Sequence, residues 1–338
     1  MTAIASGAPA GRSQAGRRPQ AIKAIPVRHP WRWVGAVLVL VIAGDVIYTV
    51  ASAVQGDLSE GGKHGWEVVW EWLDGRLILE GIVVTIELTV LAMVIGVVLG
   101  IMLAVMRLSP NPVTSSISWL YIWFFRGTPV LVQIFFWYNL NTVLKSVGIG
   151  IPPDGPWLWH VSTNALINPF AAVTLGLGLN EAAYMAEIVR AGIISVEHGQ
   201  TEAAQALGMT RLRVMERIVL PQAMRVIIPP TGNETISMLK TSSLASTAAV
   251  NELFNRAHQI SNFNFAVIEL AIVASIWYLV MTTILTIGQY YVERYYARGS
   301  QRELPLTPFQ RFRRMLVTFH APPPLPPEGQ VALPSEHR

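Results

Sequence analysis

The strongest constraint on this chain is a series of apolar runs, each long enough to cross a bilayer. They lie at about Trp33 to Val54, Gly81 to Met106, Ile117 to Leu144, Pro169 to Ile194, Val226 to Val250 and Phe265 to Tyr290. About 20 apolar helical residues span the hydrocarbon core, and there every backbone polar group must find its partner inside the protein. The expected fold is therefore all-α and integral to a membrane, with six spans. Charged residues make up 14% of the 338, against about 25% in soluble domains. A chain so poor in charge has lipid for much of its solvent.

The remaining charges fall unevenly between the runs. Residues 1 to 30 hold Arg12, Arg17, Arg18, Lys23 and Arg28 and no acid, and read as a disordered basic arm. The loop from Gln55 to Glu80 holds Asp57, Glu60, Glu67, Glu71, Asp74 and Glu80 against Lys63 and Arg76. Arg190, Arg211, Arg213, Arg217 and Arg225 follow the fourth run, and Arg294, Arg298, Arg302, Arg311, Arg313 and Arg314 follow the sixth. Lys- and Arg-rich loops stay on the cytoplasmic side, which places both termini and the 195–225 segment on the cytoplasmic side of a cell (inner or plasma) membrane, as six spans require. Ala51-Ser52-Ala53 resembles a signal-peptidase site, but the preceding run exceeds a usual signal core of about 7–15 residues and contains Asp45. A retained first span is expected, and cleavage would leave the orientation of the other five unchanged. The expected organisation is an arm (1–30), a first span (31–54), an acidic outer loop (55–76), a helical transmembrane domain (77–292) with an inner loop at about 195–222, and a basic, proline-rich tail (293–338).

Several chemistries are excluded. There is no cysteine, the seven histidines form no i, i+4 pair, and no Gly-x-Ser-x-Gly occurs, so no metal site and no catalytic residue is expected. The net charge of +4 (25 basic, 21 acidic) is too mild to imply nucleic acid. A phosphate-binding Gly-x-x-x-x-Gly-Lys-Ser/Thr is missing; Gly61-Gly62-Lys63-His64 lacks its spacing and its hydroxyl. No cofactor is expected on this chain.

Between the fourth and fifth runs lies an inner-side segment of small residues. Thr201 reads as an N-cap, with Glu202 in the first turn where the helix dipole favours an acid. Ala203, Ala204 and Ala206 give a slim helix of high propensity, and Gly208 suits its stop. Thr210 is placed to cap a second helix, about Arg211 to Val219, which Pro221 is expected to limit. A slim helix on the wet side is suited to a groove on a soluble partner; the plainer alternative is a hairpin that merely links two spans.

Four sequence blocks weigh for the first reading. Gly199-Gln200-x-Glu202-Ala203-Ala204-x-x-Leu207-Gly208, followed by Leu220-Pro221-Gln222-Ala223, resembles the Glu-Ala-Ala loop of ABC importer permeases of the polar amino acid branch. The same holds for Tyr121-Ile122-x-x-x-Arg126-Gly127-Thr128-Pro129, for Ala183-Tyr184-x-x-Glu187-x-x-Arg190, and for Pro229-Pro230-x-x-Asn233 with Lys240-Thr241-Ser242-Ser243-Leu244, in the family's order across about residues 77 to 292. The resemblance implies a type I importer transmembrane domain, with a five-helix core plus one extra N-terminal helix. It implies permeases that pair, as two copies or with a paralogue, above an ABC ATPase dimer, fed by an extracytoplasmic solute-binding protein that delivers an amino acid. ATP and Mg would be used by the ATPase. Gly199, Gln200, Glu202, Ala203, Ala204, Leu207, Gly208, Leu220 and Pro221 become the ATPase-coupling residues.

Charges inside spans are costly and face a bundle interior or cavity; here they are Glu87, Arg126, Glu181, Glu187, Glu234, Lys240 and Glu269. A path for a polar amino acid needs acids, bases and amides, so Asn180, Glu187, Asn233, Glu234, Ser237 and Lys240 are candidates for it, with mutual structural pairing as the plainer alternative. Arg126-Gly127-Thr128-Pro129 is a candidate helix break and gate, since Pro removes a donor and Gly adds freedom. Gly96-x-x-x-Gly100 suits close helix packing. An ion-coupled carrier using Glu87 or Glu187, and a membrane-bound enzyme or receptor, are the competing functions; neither gives the inner loop a task.

Overall fold

The computed structural model describes residues 30–56, 65–150 and 157–296. The basic arm, part of the acidic loop and most of the tail lie outside the described residues. The chain divides into two units, one ending at Ala53 and the other starting at Val54. Most of α1 (Pro30–Gly56) belongs to the first, and it leaves Val37 to Tyr48 exposed on all sides.

In the second unit, α3 (Arg76–Arg107) and α8 (Pro169–Ile194) form the central pair and run in the same direction. Lipid tails supply no hydrophobic drive between helices, so close backbone approach has to hold them. A Cβ added at Gly96 would lie 2.5 Å from Cγ of Glu181, and one at Gly100 would lie 2.5 Å from Cβ of Met185 and 3.1 Å from the Ala182 carbonyl oxygen. Gly96 and Gly100 thus lie where α3 meets α8. Asn168 caps α8, its side chain accepting from the Ala171 N–H at 2.8 Å, with Pro169 in the first turn.

α4 (Pro112–Gly127), capped by Asn111, returns antiparallel to α3, and Ser118 Oγ donates to the Leu103 carbonyl at 2.7 Å. The third apolar run then departs from expectation. It does not form one straight span: α5 (Val130–Tyr138) leaves α4 at 99°. Beyond it, α6 (Leu140–Val143) and α7 (Thr163–Leu166) bracket a hairpin in which β1 (Ser146–Gly150) pairs antiparallel with β2 (Trp157–Ser162). The fold is all-α as expected apart from this short hairpin, which alternating Val147, Ile149, Trp157, Trp159 and Val161 explain, being strand formers at period two.

α9 (His198–Ala206) and α10 (Arg211–Val214) follow α8. Pro221 does not limit the second inner helix as expected. A π-turn at Met215–Val219 runs directly into α11 (Leu220–Thr241), and Pro221 occupies its first turn, where the missing N–H costs nothing. A 3-10 segment (Ser242–Ala248), α12 (Leu253–Asn264) and α13 (Val267–Tyr296) complete the unit, with α2 (Trp66–Leu73) packed on α13. Among the described helices, α3 and α13 are each long and apolar enough to cross a membrane, and the bent α4–α5 pair would make a third. The described helices thus do not reproduce a count of six.

Glu252 ties the segment before α12 to the helices beside it. Its carboxylate accepts from the N–H groups of Phe254 (2.8 Å) and Asn255 (2.6 Å) and from the Tyr278 hydroxyl (3.0 Å), while Thr85 Oγ1 accepts from the Leu253 N–H at 3.1 Å. Burial raises its pKa from 4.5 to about 7, outweighing the two backbone donors and Tyr278, which favour the charged form. The folded state thus prefers the protonated acid, so this contribution to stability is present at low pH and is lost as pH climbs from 4.5 through about 7. The thermal midpoint of the purified chain should fall across that window, and Glu252→Gln should flatten the dependence. A larger change is expected at the central pair. Gly100→Leu should destabilise by about 1–3 kcal/mol through overpacking, read as a lowered midpoint of denaturant-induced unfolding in detergent.

Candidate functional site

Pro129 has no N–H, so the Phe125 carbonyl four residues earlier loses its helical donor. Two side-chain amides replace it: Gln133 Nε2 donates to that oxygen at 3.0 Å and Asn180 Nδ2 at 2.8 Å. Gln133 Nε2 also lies 3.1 Å from the Thr128 carbonyl and 2.7 Å from Thr128 Oγ1, and the Tyr121 hydroxyl donates to the Leu179 carbonyl at 2.8 Å. Arg126-Gly127-Thr128-Pro129 is therefore the site of the break itself, and α8 holds it open.

A cavity of about 260 Å³ opens beside the break. Val130 reaches it from the first turn of α5; Leu177, Asn180, Glu181 and Tyr184 come from α8; Glu234, Ser237, Met238 and Thr241 come from α11. Glu181 lies against Gly96, about midway along α3. It is 4% exposed, and its Oε1 has no hydrogen-bond partner among the described residues. Glu234 is close enough for the two carboxylates to repel each other. Among the described residues no Lys or Arg lines the cavity, but the Arg126 guanidinium is near enough to act on Glu234 and sits 5.2 Å from the centroid of the Tyr184 ring, a cation–π distance.

Of the path candidates, Asn180, Glu234 and Ser237 line this cavity, although the Asn180 amide nitrogen is committed to the break. The others are elsewhere. Glu187 forms an ion pair with Arg190 at 2.7 Å, which leaves it the structural partner weighed above. Asn233 Oδ1 accepts from Gln289 Nε2 at 3.0 Å, and Lys240 is exposed on α11 without reaching the cavity. Glu181 stood only among the charges inside spans, and Tyr184 only inside a sequence block. Gln133 gave no sign beyond its place four residues after Pro129.

Toward the other end of α11, beside the π-turn that precedes it, lies the slim helix. α9 begins one turn earlier than its cap residues suggest: Glu197 holds the N-cap position without a side-chain bond, and Thr201 and Glu202 sit inside the helix. Its end follows expectation. Gly208 has φ 78°, the left-handed conformation; the Met209 N–H bonds the Ala204 carbonyl at 3.2 Å and the Gly208 N–H bonds the Gln205 carbonyl at 2.9 Å, a Schellman stop. Thr210 caps α10 through the Arg213 N–H. Ala204 packs inward on Val214 and Val219, while Gly199, Gln200, Glu202, Ala203 and Gly208 are exposed and Leu207 is 84% exposed. Leu220 and Pro221, also exposed, lie where α11 begins. The exposed surface mixes the small Gly199, Ala203 and Gly208 with the polar Gln200, Glu202 and Gln205, and carries Leu207 as a large apolar knob.

Residues 96–298 match the family described as "Binding-protein-dependent transport system inner membrane component". The chain is 44% identical over 289 residues to the arginine transport system permease protein ArgU of Corynebacterium glutamicum, covering 85% of this chain and 87% of that one. It is 40% identical over 185 residues to the nopaline transport system permease protein NocM of Agrobacterium fabrum, covering 54% and 71%. Among solved structures, a crystal structure of an amino acid ABC transporter with histidines superposes with TM-score 0.55 at 35% identity, over 65% of this chain and 94% of that one. These matches set aside the ion-coupled carrier and the membrane enzyme. The chain belongs to the inner membrane components of binding-protein-dependent transport systems: it is a membrane permease subunit of an ATP-driven importer, its ATPase is a separate polypeptide, and it is not itself an enzyme.

Proposed function

We propose that the cargo is an amino acid with a positively charged side chain, and that it crosses through the cavity at the α4–α5 break. The observation that carries this is Glu181: a carboxyl 4% exposed, with one oxygen unpartnered among the described residues, sharing a cavity with Glu234 and with no basic lining residue. A buried charge left unpaired is costly, and a guanidinium or ammonium group is the partner whose chemistry removes that cost. The similarity to a permease named for arginine agrees with it.

In this reading the exposed face of α9 seats in a groove on the ATPase, with Leu207 as its anchor and Gly208 making the turn that presents it. Two permeases, as copies or with a paralogue, stand above an ATPase dimer that uses ATP and Mg, and a binding protein delivers substrate on the outer side. Both termini face the cytoplasm, supported by the arginines around 190–225 and after 293. The bilayer here is the cell's inner membrane.

Two experiments test the two halves. In vesicles containing the permease, its ATPase and its binding protein, Glu181→Gln and Glu234→Gln should each raise the half-saturating concentration of arginine by about tenfold, as expected for losing a hydrogen bond to a charged group. Uptake unchanged in both variants would remove the cation site. Ala203→Trp should uncouple the assembly, so that substrate no longer stimulates ATP hydrolysis. Full stimulation with the tryptophan in place would show that this face docks nowhere.

A further inference from the structure

We infer that Gln133 is a positioning residue that keeps the first N–H groups of α5 turned toward the cavity, where they receive the carboxylate of the amino acid substrate. The inference rests on the cation-site reading of the same cavity and adds the opposite pole.

The break brings two helix ends of opposite sign together. α4 ends with carbonyls, a negative end; α5 begins with N–H groups, a positive one. At the carbonyl end, the Phe125 and Thr128 oxygens are covered by amide hydrogens, from Gln133 for both and from Asn180 for the first. At the other end the Val132 and Gln133 N–H groups bond the Pro129 carbonyl at 3.0 and 3.2 Å, while Pro129, in the cap position of the nine-residue α5, offers no side-chain bond to the N–H groups of Val130 and Leu131. Val130, the first residue of that helix, lines the cavity. Donor groups thus mask the negative end while the positive end stays open. The Arg126 guanidinium lies over Tyr184, itself a lining residue, and is near enough Glu234 to act on its carboxylate. Across the cavity stand Glu181, with its unpartnered oxygen, and Glu234. A cavity lined by the start of a helix and by two acids fits a molecule carrying a carboxylate and a cation, and broken membrane helices use their N-termini for such carboxylates.

Gln133 sets the direction of the positive end. It is 6% exposed, and its single amide nitrogen bonds three oxygens spread over the break, at 2.7 to 3.1 Å. Without that donor, the Thr128 carbonyl and hydroxyl lose their side-chain partner, and Phe125 O keeps only Asn180. The first turn of α5 would then turn to satisfy them, carrying its N–H groups away from the cavity.

The test compares arginine with agmatine, which keeps the guanidinium and lacks the carboxylate. Both are titrated by calorimetry into the permease assembled with its ATPase in lipid nanodiscs. Gln133→Leu should weaken arginine binding by about tenfold and agmatine by less than about twofold, because only the interaction with the carboxylate is lost. Should Gln133→Leu fail to assemble, Gln133→Glu, of the same shape but without the donor, is titrated in the same way and should give the same pattern. Equal weakening of both ligands, or unchanged arginine binding, overturns the inference. Glu181→Gln separates the two readings, since it should weaken both ligands. If it weakens neither, the cation site fails, and the carboxylate assignment built on it fails too.

Discussion

The fold depends on two backbones coming close enough to touch. α3 and α8 meet through Gly96 and Gly100, where α3 contributes no side chain, so that Glu181 and Met185 of α8 and the Ala182 carbonyl approach its backbone directly. Inside a bilayer the usual gain from burying oil is missing, because lipid is already oil. Dispersion between closely fitted atoms must do that task, and each contact is small, so the fit must extend along the pair. α4 then hangs on this pair by the Ser118 and Tyr121 hydroxyls, and α11 packs against α8 through Ala223 and Ile227. The cavity exists because these elements are held apart at one level, where α5 turns aside.

That turn is an exchange of hydrogen bonds. Pro129 deletes a donor, and in hydrocarbon a carbonyl without a partner costs several kcal/mol. Gln133 and Asn180 supply the replacement, so a defect intolerable in a lipid-facing helix becomes a stable corner. The same amides tie the corner to α8, which also carries Glu181 and Tyr184. Break and cavity wall therefore share one scaffold, and movement of α8 is felt at both.

What the sequence made legible was local. The bounds of α8 matched the apolar run from Pro169 to Ile194 because Asn168 and Pro169 announce its start. Gly208 signalled its own left-handed turn, and Thr210 its cap, because those choices are made within a few residues. Gly96 and Gly100 announced a close partner without saying which one. What stayed hidden depends on neighbours distant in the chain. Glu187 read as a cavity acid but found Arg190 one turn away, while Glu181, six residues earlier and on another face, took that place. A proline reads as a stop, yet a π-turn before Pro221 let the helix pass through it. Gln133 has no pattern of its own; its role appears only when the carbonyls it serves are counted.

Gly96 has a double task. The volume it leaves empty is occupied by Cβ and Cγ of Glu181, so the residue that lets two helices meet also sets how deep an acid sits in the cavity. A change that enlarges this wall would therefore disturb the helix pair, and a change that tightens the helix pair would move the acid. Glu234, Ser237 and Thr241 line the same cavity from α11, outside the glycine seam.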